Sequence, residues 1–450
     1  MRGKTGVFRV CGVLAAVTTA AALAAGPAGA ASADPPAAAA SAATASTAAG
    51  RLAAGQQPRD WAATLRPGQT RAASTAGLAQ GTLSMTRQAR AAAAASAATV
   101  SGAELAGVSC TGRKQCTATG LASTRTGKNY KPLAERWNGT TWTAQTTPTT
   151  NSGGYRGATL TAGVSCTSSS ACMAAGFSYT ATKSRLLGEG WNGRTWTIQS
   201  DSTPAVAGEP AGISCTWAKD CTAVGTRSSG MTLAEHWNGR HWSAVTTKHT
   251  GALTAASCPA TGNCTAVGWN NAGKALAAHW NGKAWSDQSP ADPQPLSPLF
   301  GVSCPATGFC VAVGSGGTES ASAYSMAPLA EQWTGGRWTA LTVPDPYSSA
   351  DYAELNSVSC ISATNCMAVG DDINAAGTTD ATVAAQWNGT TWTILSTPSP
   401  ATISALYSVS CTSATFCSAV GGGTPTPAGK VAPIAETWNG STWSLQTAAG

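Results

Sequence analysis

The sequence predicts an all-β fold made of seven similar four-stranded units, and three repeated features carry that prediction. Seven tryptophan pairs, from Trp137 and Trp142 to Trp438 and Trp443, each enclose four residues, and six of the seven open on Asn-Gly. Upstream of every pair stands a Cys-x5-Cys motif entered through "VSC", "ISC" or "ASC". The motifs start 56, 49, 43, 46, 56 and 51 residues apart, so an internal period near 50 sets the architecture.

The N-terminus stands outside that period. Arg2, Lys4 and Arg9 precede the apolar run "VCGVLAAVTTAAALAA", and "ASA" at 31–33 offers a cleavage site, so residues 1–33 are expected to be a signal peptide. The run is short for a bilayer span and ends in Gly and Pro, which argues against a stable membrane anchor. Residues 34–100 are Ala-, Ser-, Thr- and Pro-rich with one large aromatic, Trp61, and are expected to form a disordered linker. The net charge of +7 belongs to this arm. Residues 1–100 hold 9 basic and 2 acidic side chains, leaving 18 of each in the rest. A neutral body offers no phosphate-binding surface, so nucleic acid is not an expected partner.

Residues 101–450 carry the repeats. Each unit reads as an apolar strand ending in "VSC", a short turn, a second strand "CxAVG", a variable loop, a third strand leading into Trp, a turn, and a fourth strand "WxxQ". With Asn-Gly as the two central residues of a type I′ turn, Trp137 would face Thr140 and Glu135 would face Trp142. Both indoles then lie on one face of the hairpin as diagonal neighbours. The cysteines flank a turn between adjacent strands, which predicts seven disulfides, Cys110–Cys116, Cys166–Cys172, Cys215–Cys221, Cys258–Cys264, Cys304–Cys310, Cys360–Cys366 and Cys411–Cys417. Each closes a small loop worth roughly 2 kcal/mol in the chain-entropy account. Cys-x5-Cys is not a zinc-finger spacing, and an exported chain favours disulfides over metal. A small sheet with one aromatic face needs a neighbour to cover it, and a ring of seven supplies one for each. The expected fold is therefore a seven-bladed β-propeller, closed by blade one packing on blade seven, with a strand from "GTLSM" joining the last sheet as the alternative.

The stretch "CMAVGDD…ATVAAQWNGTTWTILSTPSP" resembles a kelch repeat, and the resemblance runs from about residue 103 to 447. Three features depart from kelch. Its double glycine survives only at Gly421-Gly422, the aromatic-to-Trp spacing is shorter, and the disulfide is foreign to it. The units look closer to secreted Cys-containing propeller repeats of high-GC bacteria. Kelch relatives include binding scaffolds and a copper oxidase, so the resemblance implies a fold and leaves the activity open.

Comparison among the seven copies separates what a blade needs from what is free to be specific. The two connections that vary in length, between strands two and three and between blades, would emerge on one face. All seven tyrosines, Tyr130, Tyr155, Tyr179, Tyr324, Tyr347, Tyr352 and Tyr407, are expected in them, with Trp269, Asp371 and Asp372. Such residues suit sugars, peptides and protein partners and are the candidate ligand-binding set. A glutamate two residues before the first Trp recurs at Glu135, Glu189, Glu235, Glu331 and Glu436, where it reads as structural, accepting an indole or backbone N–H. His236 is expected opposite His241, with His279 equivalent to His236, but third ligands are missing and no metal or other cofactor is expected. No catalytic motif is recognisable. The expected function is thus an extracellular, non-catalytic recognition or scaffold protein, monomeric, secreted or wall-associated, with a glycan or protein partner. The alternative is a secreted polysaccharide hydrolase or lyase using the acidic residues Asp345, Asp351, Glu354, Asp371, Asp372 and Asp380 of units five and six.

Overall fold

The computed structural model describes residues 102–123, 129–148, 157–180, 183–199, 207–319, 324–346, 352–373, 379–424 and 430–449. The signal peptide, the Ala-rich linker, Tyr155 and Tyr347 lie outside them. Twenty-eight strands form seven antiparallel four-stranded blades. Blade one comprises β1 (Ala103–Gly112), β2 (Gln115–Ser123), β3 (Tyr130–Trp137) and β4 (Trp142–Gln145). Blades two to seven span 157–199, 208–244, 252–288, 299–341, 352–395 and 403–446. Blades five, six and seven also touch edge to edge through single parallel bridges, Met326 to Tyr352 and Asp380 to Ile403.

The first strand of each blade is innermost, and a closed circuit of hydrogen bonds joins these strands. The serine of each "SC" dipeptide accepts the N–H of the cysteine one blade further on. Ser109 takes Cys166, Ser165 takes Cys215, Ser214 takes Cys258 and Ser257 takes Cys304. Ser303 takes Cys360, Ser359 takes Cys411, and Ser410 closes the ring on Cys110, all at 2.9–3.0 Å. At about 1 kcal/mol per bond the circuit is a modest energy, but it fixes the same offset at every blade boundary.

The larger energy is in the tryptophans. Each pair covers the blade before it. Trp191 and Trp196 meet Ala134 of blade one, Trp237 and Trp242 meet Met173, Ala175 and Leu186, and Trp387 and Trp392 meet Val311, Val313 and Ala330. Trp137 and Trp142 pack with Phe416, Val420 and Ala435 of blade seven, which closes the wheel without a shared blade. All seven expected disulfides are formed.

The hairpin register differs from the expectation. Trp137 pairs directly with Trp142, and Glu135 with Ala144, so the indoles are opposite rather than diagonal, with centroids 5.7 Å apart. The turn is centred one residue later than Asn-Gly implies. Asn138 Oδ1 accepts the N–H of Thr140 and of Thr141, both at 2.9 Å, so the asparagine side chain closes a four-residue loop with Gly139 at positive φ. This Asx geometry competes with the tight turn wherever asparagine leads. Blade five has no asparagine there, and Gly335-Gly336, both at positive φ, form the two-residue turn. The same shift removes the expected histidine pair. His236 faces Ser243, while His241 sits in the loop against the Asn238 side chain.

The invariant glycine of "AVG" has an equally local cause. The innermost strand carries a bulge opposite it, which drives a carbonyl into the space a Cβ would take. A Cβ at Gly120, Gly268 or Gly370 would stand 1.9–2.0 Å from the carbonyl oxygen of Glu104, Ala252 or Glu354. We expect Gly268→Ala to lower the urea midpoint by the equivalent of about 1–3 kcal/mol, the usual cost of forcing a methyl group into filled space.

Candidate functional site

Antiparallel order places the interblade connections and the loops between strands two and three on one rim, the upper, and the cysteine and tryptophan turns on the other. The predicted ligand residues sit at the upper rim, but mostly within strands and between blades rather than on loops. Tyr130 opens β3 and is half-buried, and its N–H donates to the Tyr179 hydroxyl at 3.0 Å. Tyr179 ends the second strand of blade two and is buried beside Phe177, with centroids 6.2 Å apart. Burial, followed by nearby Glu104 and Tyr179, pushes the Tyr130 hydroxyl up to about 12, while burial raises Tyr179.

Across the ring, Trp269 is 1% exposed and meets Phe300 edge-on at 5.9 Å. Tyr352 is buried with Met326 and Ile373, and its hydroxyl donates to Glu354. Asp371 lies opposite Glu354 in the strand register and accepts a hydrogen bond from Asn356 Nδ2 at 2.6 Å. Asp371 and Asp372 are 3% and 6% exposed. Tyr407 occupies the bulge of the innermost strand of blade seven and is half-buried, and Tyr324 opens the third strand of blade five. The expectation that all the tyrosines are loop residues is thereby corrected for Tyr130, Tyr179, Tyr324, Tyr352 and Tyr407. The short apolar strands extend further toward the rim than the "AVG" boundary implies.

Three carboxylates at this rim stand in the innermost strands. Glu104, Glu209 and Glu354 each precede the first cysteine of their blade by six residues; Glu104 and Glu354 are buried and Glu209 is half-buried. Glu354 has the Tyr352 hydroxyl, whereas both oxygens of Glu104 lack a partner, and burial holds that carboxyl well above the usual range. A single acidic residue in an otherwise apolar strand was the available signal for Glu104.

Two of the recurrent glutamates hold blade connections. Glu331 accepts the N–H groups of Ala291 and Asp292 at 2.8 and 3.1 Å, from the segment leaving blade four. Glu135 accepts the Ala449 N–H at 2.9 Å, so the segment leaving blade seven docks on blade one in the same way. Burial raises Glu331 against the pull of those two donors.

The histidines are tied locally. His236 Nε2 lies 2.8 Å from Asp220, and His249 Nε2 lies 2.9 Å from Asp287. Burial would raise Asp220, but hydrogen bonds from Thr216, His236 and Thr261 outweigh it and hold the carboxyl below its usual value. Among the described residues no three metal-ligating side chains converge.

No protein-family model and no curated protein matches the chain. Among solved structures it is similar to U3-55K at 10% identity, covering 70% of this chain and 88% of that one, with a TM-score of 0.44. It is similar to a GH74 xyloglucanase from Xanthomonas campestris at 12% identity, covering 76% and 55%, with a TM-score of 0.47. A fucose-specific lectin from Aleuria aurantia shares 14% identity over 64% of this chain and 97% of that one, with a TM-score of 0.39. The propeller architecture rests on the strand order and the closed circuit of blade contacts, and likenesses at these scores add nothing about ligand or reaction.

Proposed function

We propose that this chain is a secreted, non-catalytic recognition or scaffold protein. On this reading it is a monomer that binds a glycan or protein partner on its upper rim after removal of residues 1–33, with 34–100 as a spacer and 101–450 as a kelch-like propeller. The observation that carries the reading is the fate of three of the six acidic residues of units five and six; of the others, Asp345 is exposed, Asp380 is half-buried and Asp351 lies outside the described residues. Asp371, Asp372 and Glu354 are buried in the seam between blades, with Tyr352 and Asn356 engaging two of them. A hydrolase or lyase needs a carboxyl pair open to its substrate. Seven disulfides are consistent with an extracellular protein.

The rim residues act in this reading by shaping the loops they support, with Tyr130 and Tyr407 half-buried. The test pairs a pull-down on a polysaccharide and cell-wall panel with a reducing-sugar assay on the same panel. Capture without release of reducing ends is expected. Turnover that Asp371→Asn abolishes in a folded protein would replace this reading with the enzymatic one.

A further inference from the structure

Among the positions at which the seam between blades two and three differs from its neighbour, the one before the first tryptophan of the pair stands at a groove. In the seam between blades one and two, Arg136, the residue before Trp137, reaches across to blade two. Its guanidinium lies 4.8 Å above the Trp191 ring and donates to the Ser169 carbonyl at 2.9 Å. The corresponding position in blade two is Gly190, while the other blades carry His236, His279, Gln332, Gln386 and Thr437 there. Nothing therefore extends from that position over the next tryptophan, Trp237. A groove of about 230 Å³ stands there, lined by Gly190, Trp191, Asn192, Gln199, Lys219 and Trp237 among others.

A second observation points to a ligand. Trp137, Trp191, Trp387 and Trp438 each donate their indole N–H to the carbonyl three residues beyond the first cysteine of their blade, at 3.1–3.3 Å. Trp237 is 4% exposed, and its Nε1 has no acceptor. The counterpart carbonyl belongs to Ala218, which also lines the groove. An unsatisfied buried N–H is costly, and an acceptor on a bound molecule would recover that cost. The turn bearing Ala218 and Lys219 also carries Trp217, 51% exposed.

We propose that this groove is a subsite for one pyranose residue of a glycan. Its space equals about eight waters. The indole of Trp237 lines the groove and suits the C–H face of a sugar ring, whereas the Trp191 ring is covered by Arg136. The amides of Asn192 and Gln199, the hydroxyls of Thr167 and Thr197 and the orphaned Trp237 N–H suit its hydroxyls. No carboxylate lines the groove and Lys219 does, so a neutral or acidic sugar fits better than a cation taking the place of Arg136. The proposal shares only the ligand class with the reading above. Its location, on the seam below the upper rim, is independent of it.

The experiment is saturation-transfer NMR and calorimetry on the mature chain. The probes are the methyl glycosides of glucose, galactose, mannose and N-acetylglucosamine, then galacturonic acid, with L-arginine as the cationic competitor. A millimolar response to at least one pyranose is expected. Gly190→Arg should weaken it at least tenfold by rebuilding the arrangement found in the adjoining seam. A Cβ at Gly190 meets only the flexible end of Gln199, so the substitution is tolerable there. Gly190→Gln, the residue type of blades five and six, is the second variant should the first fail to fold. Pyranose binding that persists undiminished in a folded Gly190 variant overturns the subsite while leaving the upper-rim reading intact. No pyranose response at all, or a preference for arginine, overturns it as well.

Discussion

Trp392→Ala is expected to cost about 3–5 kcal/mol, the usual loss on truncating a buried tryptophan. The indole is 4% exposed and lies in the cluster that joins blade six to Val311, Val313 and Ala330 of blade five. Truncation removes its ring surface and leaves a void between two sheets whose spacing the Ser303–Cys360 bond and Trp387 still hold. Collapse into the void is therefore restricted, which puts the cost toward the upper end of the range. In a closed ring each blade has two neighbours, so loosening one seam also withdraws support from the next. The control is Ile198→Ala, on an outermost strand and 47% exposed, which should change stability by no more than about 0.5 kcal/mol. Urea denaturation of both variants under non-reducing conditions decides the matter. Equal midpoints would mean that the tryptophan faces do not hold the blades together.

The periodic features carried most of this architecture in advance, because each is a local pattern with a single packing consequence. Cys-x5-Cys spacing, the Trp pairs and the apolar "VSC" strands give seven sheets with one aromatic face apiece, and the structure has them. The register of the outer hairpin was not legible from Asn-Gly alone. The same dipeptide can supply two turn residues or an Asx cap, and the position of the strand ends separates the two. The serine circuit was written plainly in every repeat, yet its role needs the neighbouring blade to be visible, since Ser109 is bonded to a residue 57 positions away. The upper rim was the least legible part. Tyr179, Trp269 and Asp371 follow the invariant glycine, where the bulge changes which side of the sheet a side chain meets, and composition alone reads them as loop residues. Gly190 was the quietest signal of all, one missing side chain in a column of seven.

Buried Glu189 and Glu436 make stability depend on pH in a direction opposite to that of most carboxylates. Glu331 and Glu135 accept backbone N–H groups from the third residue after the last strand of the preceding blade, Ala291 and Ala449. The equivalent residue before blade two is Pro148, and before blade seven it is Pro398. Proline has no N–H to give. Glu189, fully buried, has no partner, and burial pushes its carboxyl up to about 8. Burial also brings Glu436 to about 7 against the pull of the Thr382 hydroxyl. A folded-state value above the unfolded one means that the native chain holds more protons. The stabilisation is complete below about pH 4.5 and is lost as pH rises through about 8. The slope is about 1.4 kcal/mol per pH unit for each such group within that window, a few kcal/mol in all for Glu189. Urea midpoints should accordingly fall from pH 5 to pH 9. Glu189→Gln, which keeps the shape of the neutral acid, should match the parent at pH 5 and exceed it at pH 9. A Gln variant that tracks the parent across the whole range would show that Glu189 is ionised in the native state, and that some donor reaches it despite Pro148.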